Sequence, residues 1–198
     1  MEIMKYKTIL ADPPWPQTMM GSYLISRHMR PAKLVYPTMT VEKIVAMPIN
    51  ELADSGCHLW LWVTNEFLEV GFQVMRAWGF RYLAPITWKK PSGCGNYFIH
   101  LTQHILFGYK DKLEFNKARY VPNAHEWPLE GEPVDLWQEW GAPTKHSRKP
   151  AKSYEFIESI SDEPRLELFA RPIGPLFPKV DHWDTWGNEM PNDIELAV

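Results

Sequence analysis

Two patterns of apolar residues run along this chain, and the first is typical of β-strands. Short runs of mostly apolar residues are bounded by turn-forming residues, as in the strands of a buried sheet. These runs predict strands at residues 7–11, 56–64, 82–90, 102–110 and 165–170.

The second pattern is helical, because apolar residues between the strand-like runs recur every three to four positions. A helix is predicted from Thr40, with Thr40 as its N-cap and an interruption at Pro48. Residues 65–80 predict another helix with Gly79 as its C-cap, and residues 151–160 predict a further one. This alternation predicts an α/β fold with a mostly parallel sheet flanked by helices.

The segment 111–148 shows neither pattern and is rich in proline, tryptophan and charged residues. A loop of that length in a compact domain is usually a functional or interaction element. Its tryptophans, Trp127, Trp137 and Trp140, predict either a homodimer interface or a cover over the core.

Composition narrows the class of protein. A chain of 198 residues with 45% hydrophobic content predicts one domain spanning residues 1–198. No apolar run reaches the roughly 18 residues that a membrane span needs, and no cleavable leader is visible, so we expect a cytoplasmic protein without a membrane partner. The formal net charge of −3 argues against a protein that holds nucleic acid by an overall positive field.

Basic residues nevertheless form local clusters in turn-rich segments. One cluster alone indicates a solvated surface, whereas several favour contact with phosphate groups. The clusters are Arg27, Arg30 and Lys33; Lys110, Lys112, Lys117 and Arg119; and Lys145, Arg148, Lys149 and Lys152.

The cysteines and histidines do not predict a metal site. Cys57 and Cys94 lie in different segments without CxxC spacing, so neither a disulfide framework nor a zinc site is indicated. His100 and His104 are four residues apart, but they lie in a strand-like stretch that would not direct both rings toward one ion.

Candidate chemistry follows the predicted strands, because ligands of open α/β sheets bind beyond the carboxyl ends of the strands. The residues at these positions are Asp12 to Trp15, Thr64 with Asn65, Lys89 with Lys90, and Arg171.

The first of these turns, "DPPW" from Asp12 to Trp15, has an unusual balance of hydrogen-bonding groups. Pro13 and Pro14 have no backbone N–H, so we expect a rigid turn that offers carbonyl and carboxylate acceptors with almost no competing donors. Trp15 adds a flat face for a heteroaromatic ring. The turn therefore suits a planar ligand with an exocyclic amino group, although a strand-terminating turn with a surface tryptophan is the simpler alternative.

The same turn resembles the catalytic motif of methyltransferases that act on amino groups of nucleic-acid bases. Together with "YPTM", "LWLWVTN", "AWGFRY", "HSRKP", "LELFAR" and "WDTWGNE", it resembles the methyltransferase-A-seventy family of adenosine N(6)-methyltransferases, over nearly the whole chain and in the family's order. The resemblance implies a Rossmann-like class I methyltransferase fold, S-adenosyl-L-methionine as cofactor, and a permuted order with the catalytic motif before the cofactor motif.

For the acceptor base, the resemblance implies that Asp12 and the Pro13 carbonyl bind the adenine amino group, with Pro14 and Trp15 in the same catalytic turn. Tyr36 resembles a tyrosine of a mobile loop near the base, and its alternative is a packing aromatic.

For the cofactor, the resemblance places Lys149 near the methionine carboxylate and Asp12 also among the cofactor-binding residues. Around the ribose it places Glu167, Arg171, Asn188 and Glu189. Strand alternation predicts that Leu166, Leu168 and Ala170 face one side and that Glu167, Phe169 and Arg171 face the other.

Several functions stay open at this point. The compact chain resembles stand-alone bacterial or phage-type members, for which DNA is the expected substrate ahead of RNA. The alternatives are an RNA adenosine methyltransferase and a catalytically inactive, nucleic-acid-binding partner subunit. A proline-rich interaction protein fits less well, because the prolines are dispersed through a globular pattern.

Overall fold

A computed structural model describes residues 4–16, 37–91, 98–115, 120–128, 149–171 and 181–196. Within these ranges, none of the helices has the length and apolar character required to cross a bilayer.

A sheet of seven strands forms the centre of the molecule, with the spatial order β5-β3-β4-β2-β1-β6-β7. Every strand runs parallel to the others except β4, which is antiparallel to both β2 and β3. The strands are β1 (Tyr6–Ala11), β2 (Ala53–Val63), β3 (Arg81–Lys89), β4 (Thr102–Tyr109), β5 (Ala124–His125), β6 (Arg165–Leu168) and β7 (Trp183–Trp186). The mostly parallel sheet predicted from the sequence is thereby confirmed.

The helices lie where the sequence places them. Thr40 caps α1 (Val41–Ala46) by accepting a hydrogen bond from the Lys43 N–H, and Pro48 separates α1 from α2 (Ile49–Leu52). The next helix, α3 (Leu68–Ala77), ends before Gly79, whose φ of +82° is the left-handed conformation that favours glycine at this position. The helix α4 (Lys152–Ile160) follows the long loop.

Strand alternation divides the core between the two faces of the sheet. On one face, Leu59, Leu61 and Val63 of β2 pack against α1, α2 and α3. On the other face, Trp60 and Trp62 of the same strand belong to a second cluster that contains the buried residues of α4. Helices on both faces explain why residues 59–63 of β2 are all apolar.

Three elements differ from the sequence-based expectation. The segment 183–186 forms β7, which was not predicted as a strand, and residues 124–125 of the predicted irregular loop form the short β5. Phe169 was predicted to face away from Leu166 and Leu168, yet it packs against the same core cluster. Its φ of +62° ends β6 and interrupts the alternation.

Trp127, the described tryptophan of the long loop, covers the core. Its ring stacks on His125 at 4.4 Å and packs against Phe156 of α4, while its carbonyl accepts the Trp88 indole N–H at 2.9 Å. Trp137 and Trp140 lie outside the described residues.

The position of β1 determines where a ligand can bind. Its neighbours are β2 on one side and β6 on the other, so the chain leaves β1 in one direction and later returns to its opposite side. In open α/β sheets such a switch point opens a crevice beyond the carboxyl ends of the strands. In this sheet the residue at that position is Asp12, directly after β1.

A first prediction concerns Gly71, where α3 contacts the sheet. A Cβ atom at this position would lie 2.6 Å from Cγ1 of Val63 and 2.9 Å from Cδ1 of Leu106. Gly71→Ala should lower the free energy of unfolding by about 1–2 kcal/mol in urea titrations, although alanine favours helices, because such overpacking outweighs helix propensity. Gln73→Ala, on the exposed face of α3, should cause no loss; equal stability of Gly71→Ala and the wild type would contradict the packing described.

Candidate active site

The Asp12 carboxylate lies between two cations at the carboxyl end of β1. Lys149 Nζ donates to Oδ1 at 2.8 Å and to Oδ2 at 2.7 Å, and Arg171 Nη2 donates to Oδ2 at 2.8 Å. Asp12 and Lys149 are largely buried, with side-chain exposures of 15% and 12%, whereas Arg171 retains 30%. The arrangement therefore joins residues that lie far apart in sequence into one polar cluster.

This cluster changes the expectation of a turn with almost no competing donors. The Asp12 carboxylate already accepts from both cations, and the Pro13 carbonyl accepts the Trp15 N–H at 2.8 Å. The Pro14 carbonyl accepts the Met39 N–H at 2.9 Å. Pro13 and Pro14 themselves have no N–H, but other residues donate hydrogen bonds to the turn. A carbonyl oxygen has two lone pairs, so the Pro13 oxygen retains capacity for a further donor.

Trp15 is a packed part of the site and not a surface tryptophan. It is 7% exposed, stacks on Phe67 with ring centroids 5.3 Å apart, and donates its indole N–H to the Trp62 carbonyl at 3.1 Å. Phe67 therefore covers one face of the indole. These contacts hold the turn against the end of β2.

The Lys149 ammonium has an aromatic neighbour as well as its anionic partner. Nζ lies 5.3 Å from the centroid of the Trp62 ring. Burial lowers the pKa of Lys149, and the charges of Arg171 and Lys90 act in the same direction, while Asp12 opposes them. The Asp12 carboxylate thus helps to keep Lys149 in its charged form.

Glu167 is buried beside this cluster, on β6. Its Oε1 accepts the Tyr154 hydroxyl at 2.7 Å. Burial raises the pKa of Glu167 to about 7, and the Asp12 charge acts in the same direction, whereas the Tyr154 hydrogen bond and Arg171 oppose the rise. Glu167 thus meets Tyr154 of α4, on the face of the sheet opposite to Leu166 and Leu168.

The other predicted site residues are less central. Asn188 and Glu189 follow β7, at the same end of the sheet as Asp12, and both are exposed. Tyr36 lies outside the described residues, as do Arg27, Arg30, Lys33, Lys117, Arg119, Lys145 and Arg148 of the basic clusters. Lys110 lies at the opposite end of the sheet, where it donates to the carbonyls of Asn50 and Ala53.

A polar network connects the turn after β2 to its neighbouring strands. Asn65 Nδ2 donates to the Thr102 carbonyl at 3.0 Å, and Asn65 Oδ1 lies 3.1 Å from His104 Nε2. His104 Nδ1 in turn lies 3.1 Å from the Thr87 hydroxyl. A neutral His104 satisfies both contacts, in agreement with the burial that lowers its pKa. The described residues contain no group of three or more His, Cys, Asp or Glu residues suited to a metal ion.

Trp62 and Tyr154 are the members of the site that the sequence analysis did not single out. Both resemble ordinary core residues in the sequence, Trp62 in an apolar strand and Tyr154 in an amphipathic helix. Only their neighbours, Lys149 and Glu167, distinguish them.

Glu167 gives a second prediction. Its pKa in the folded protein is raised to about 7 from a usual value of 4.5, so its protonated form stabilises the fold fully below about pH 4.5 and this contribution is lost as the pH rises through 7. Between pH 5 and 8, wild-type stability should therefore fall relative to that of Glu167→Gln, as measured by urea midpoints. Tyr154→Phe should move this window upward because it removes a contact that lowers the pKa. Parallel curves for wild type and Glu167→Gln would contradict the assignment.

Comparison with known proteins points to one family. A sequence profile of the MT-A70 family matches residues 6–189. The chain is 29% identical over 199 residues to the human N(6)-adenosine-methyltransferase catalytic subunit METTL3, a match that covers 94% of this chain and 28% of that protein. It is 27% identical over 176 residues to an N(6)-adenosine-methyltransferase MT-A70-like protein of Arabidopsis thaliana, covering 84% of this chain and 22% of the relative.

A bacterial relative is matched over more of its length. The type II methyltransferase M.MunI of a Mycoplasma species is 25% identical over 219 residues, which cover 98% of this chain and 82% of that enzyme. By contrast, the chain spans between a fifth and a third of the eukaryotic relatives. The family match covers β1 to β7, including Asp12, Lys149 and Arg171, and the chain belongs to the MT-A70 family of S-adenosylmethionine-dependent adenine N(6)-methyltransferases.

Proposed function

We propose that this chain forms one methyltransferase domain that transfers a methyl group from S-adenosylmethionine to the 6-amino group of adenine in nucleic acid, with DNA as the substrate, in the bacterial or phage-infected cytoplasm. The observation that carries the proposal is the Asp12 carboxylate at the switch point of the sheet, held by Lys149 and Arg171. An acceptor at this position suits an amino group that must be oriented toward a methyl donor.

The residues around Asp12 fit the cofactor that the family uses. The Lys149 ammonium suits the methionine carboxylate, because ammonium and carboxylate form charge-assisted hydrogen bonds. Glu167 and Arg171 offer an acceptor and a donor for ribose hydroxyls, and Asn188 and Glu189 stand exposed at the same end of the sheet. When bound, the cofactor supplies an electrophilic methyl group on a sulfonium.

The acceptor amine needs help, because its lone pair is delocalised into the purine ring. Hydrogen bonds from its two N–H groups to Asp12 and to the Pro13 carbonyl stabilise the positive charge that develops on nitrogen during transfer. The free lone pair of the Pro13 oxygen is available for this contact. Trp15 is proposed to fix the turn through Phe67 and the Trp62 carbonyl, and Tyr36 to lie near the base.

A redistribution of the contacts of Asp12 would favour this chemistry. In the structure, its carboxylate is shared between Lys149 and Arg171. A cofactor carboxylate would draw Lys149 toward itself and release acceptor capacity on Asp12 for adenine. The cofactor should therefore bind before the target base engages.

DNA is proposed over RNA because M.MunI, a type II methyltransferase, is matched over 82% of its length. RNA is the alternative, favoured by the similarity to METTL3, an N(6)-adenosine-methyltransferase. The intact Asp12–Lys149 pair argues against an inactive partner subunit, which would not need this arrangement. We also propose a homodimer. Its interface would use surfaces that do not include Trp127, because that residue covers the core.

The third prediction tests the activity directly. Protein incubated with methyl-labelled cofactor and a panel of single- and double-stranded DNA and RNA should place label in N(6)-methyladenine of DNA, measured by nucleoside analysis. Asp12→Asn keeps the side-chain volume and should lower kcat by about 10²-fold or more, because the charged acceptor is lost. Asp54→Asn, which removes an exposed carboxylate paired with Lys7, is the matched control with unchanged kcat. Label in RNA alone would favour the alternative substrate, and no label in any arm would reject the function.

The fourth prediction concerns the order of binding. S-adenosylhomocysteine, which keeps the amino-acid carboxylate of the cofactor, should raise the affinity for an adenine-containing oligonucleotide by about tenfold in fluorescence anisotropy, and the oligonucleotide should raise the affinity for this product by the same factor. An oligonucleotide with purine in place of the target adenine lacks the amino group and should show little coupling. Equal coupling for both oligonucleotides would contradict a role of Asp12 in it.

A further inference from the structure

Trp62 lies between Lys149 and the turn from Asp12 to Trp15. It is 2% exposed, lies next to the last residue of β2, and packs edge-to-face against Trp88 with ring centroids 6.1 Å apart. Its ring faces the Lys149 ammonium, and its carbonyl holds the Trp15 indole. One residue thereby contacts both the cofactor lysine and the catalytic turn.

The Lys149 ammonium is a cation that must change partners. It pairs with Asp12 in the structure, and the proposed function has it pair with the carboxylate of the cofactor. Between these two arrangements neither anion holds it fully, and its surroundings offer little water because its side chain is only 12% exposed. Arg171 and Lys90 add positive charge nearby. The ammonium therefore needs a further source of electrostatic stabilisation.

An aromatic face supplies this stabilisation without competing for hydrogen bonds. The attraction between a cation and a π-system operates within about 6 Å of the ring centroid and strengthens when the pair is desolvated. At 5.3 Å, the Trp62 ring meets this condition. Because the ring uses none of the ammonium N–H donors, it does not compete with Asp12 or with an incoming carboxylate for them.

We propose that Trp62 is a positioning residue for cofactor binding, whose ring keeps the Lys149 ammonium charged and within reach of both Asp12 and the cofactor carboxylate. The proposal rests on the proposed function, since it takes Lys149 as the cofactor lysine. The ring acts through Lys149 and does not itself touch the reacting atoms.

The chain offers a close control in Trp60, two residues earlier on the same strand. Its side chain belongs to the same core cluster, is 1% exposed, and donates its indole N–H to Ser161 Oγ at 3.0 Å, away from Lys149. Replacing either tryptophan by leucine removes a buried indole from one face of β2, whereas only the Trp62 ring faces the lysine. The backbone carbonyl that holds Trp15 is retained in both variants.

The test compares Trp62→Leu with Trp60→Leu in the full chain. Both should lower the thermal midpoint, because both leave a cavity. Only Trp62→Leu should weaken binding of S-adenosylhomocysteine, by roughly tenfold in calorimetry, and raise KM for the methyl donor. Trp60→Leu should bind the product within about twofold of wild type per folded molecule. Equal affinities in the two variants would assign Trp62 to packing alone and overturn the proposal.

A conservative substitution covers the case in which Trp62→Leu does not fold. Trp62→Phe keeps a smaller aromatic face and should weaken product binding by about threefold in the wild-type background. In a Lys149→Met background the same change should have no further effect, because the cation is gone. An identical effect of Trp62→Phe in both backgrounds would overturn the proposal. Failure of the wild-type protein to bind the product would instead reject the proposed function.

Discussion

The neutralisation of one carboxylate by two cations is the interaction on which the rest of this site depends. Asp12 follows β1, Lys149 precedes α4, and Arg171 follows β6, so the cluster ties the end of β1 to the segment before α4 and to the segment after β6. Largely buried charges are tolerated only when they are paired. The pairing therefore explains why these charged groups can be buried. It also suits a ligand whose own charges can pair with them.

The aromatic residues around this cluster have a different role, which is to fix geometry. Phe67 stacks on Trp15, the Trp62 carbonyl holds the Trp15 indole, and Trp88 supports the Trp62 ring. Stacked and edge-to-face rings are rigid and exclude water, which strengthens electrostatic interactions nearby. The site thus combines ion pairs with a rigid aromatic support.

Much of the fold could be predicted because local signals and tertiary packing agree. Local sequence signals predict three of its features: the apolar run of β2, the Thr40 cap and the left-handed Gly79. The strand β7 was missed because its alternation of Trp183, Asp184, Thr185 and Trp186 is too short to be distinctive. Phe169 was assigned to the wrong face because a positive φ at a bulky residue has no local signal.

The candidate site shows the same division between local and distant causes. Asp12 and Lys149 could be named from sequence motifs, but the direct bond between them joins residues 137 positions apart and no local pattern encodes it. The same holds for Trp62, whose functional neighbour is distant in sequence. Residue types thus indicated the kind of chemistry, whereas the pairing of those residues required the structure.

The position of β1 in the sheet affects how the chain folds during synthesis. Its partner β6 is synthesised about 150 residues later, since Thr8 pairs with Arg165 and Ile9 with Leu166. Contacts of such sequence separation form late in folding. Until β6 has been synthesised, the backbone edge of β1 opposite to β2 therefore lacks this partner strand. The strand β1 gains its second neighbour only after β6 (Arg165–Leu168) has been synthesised.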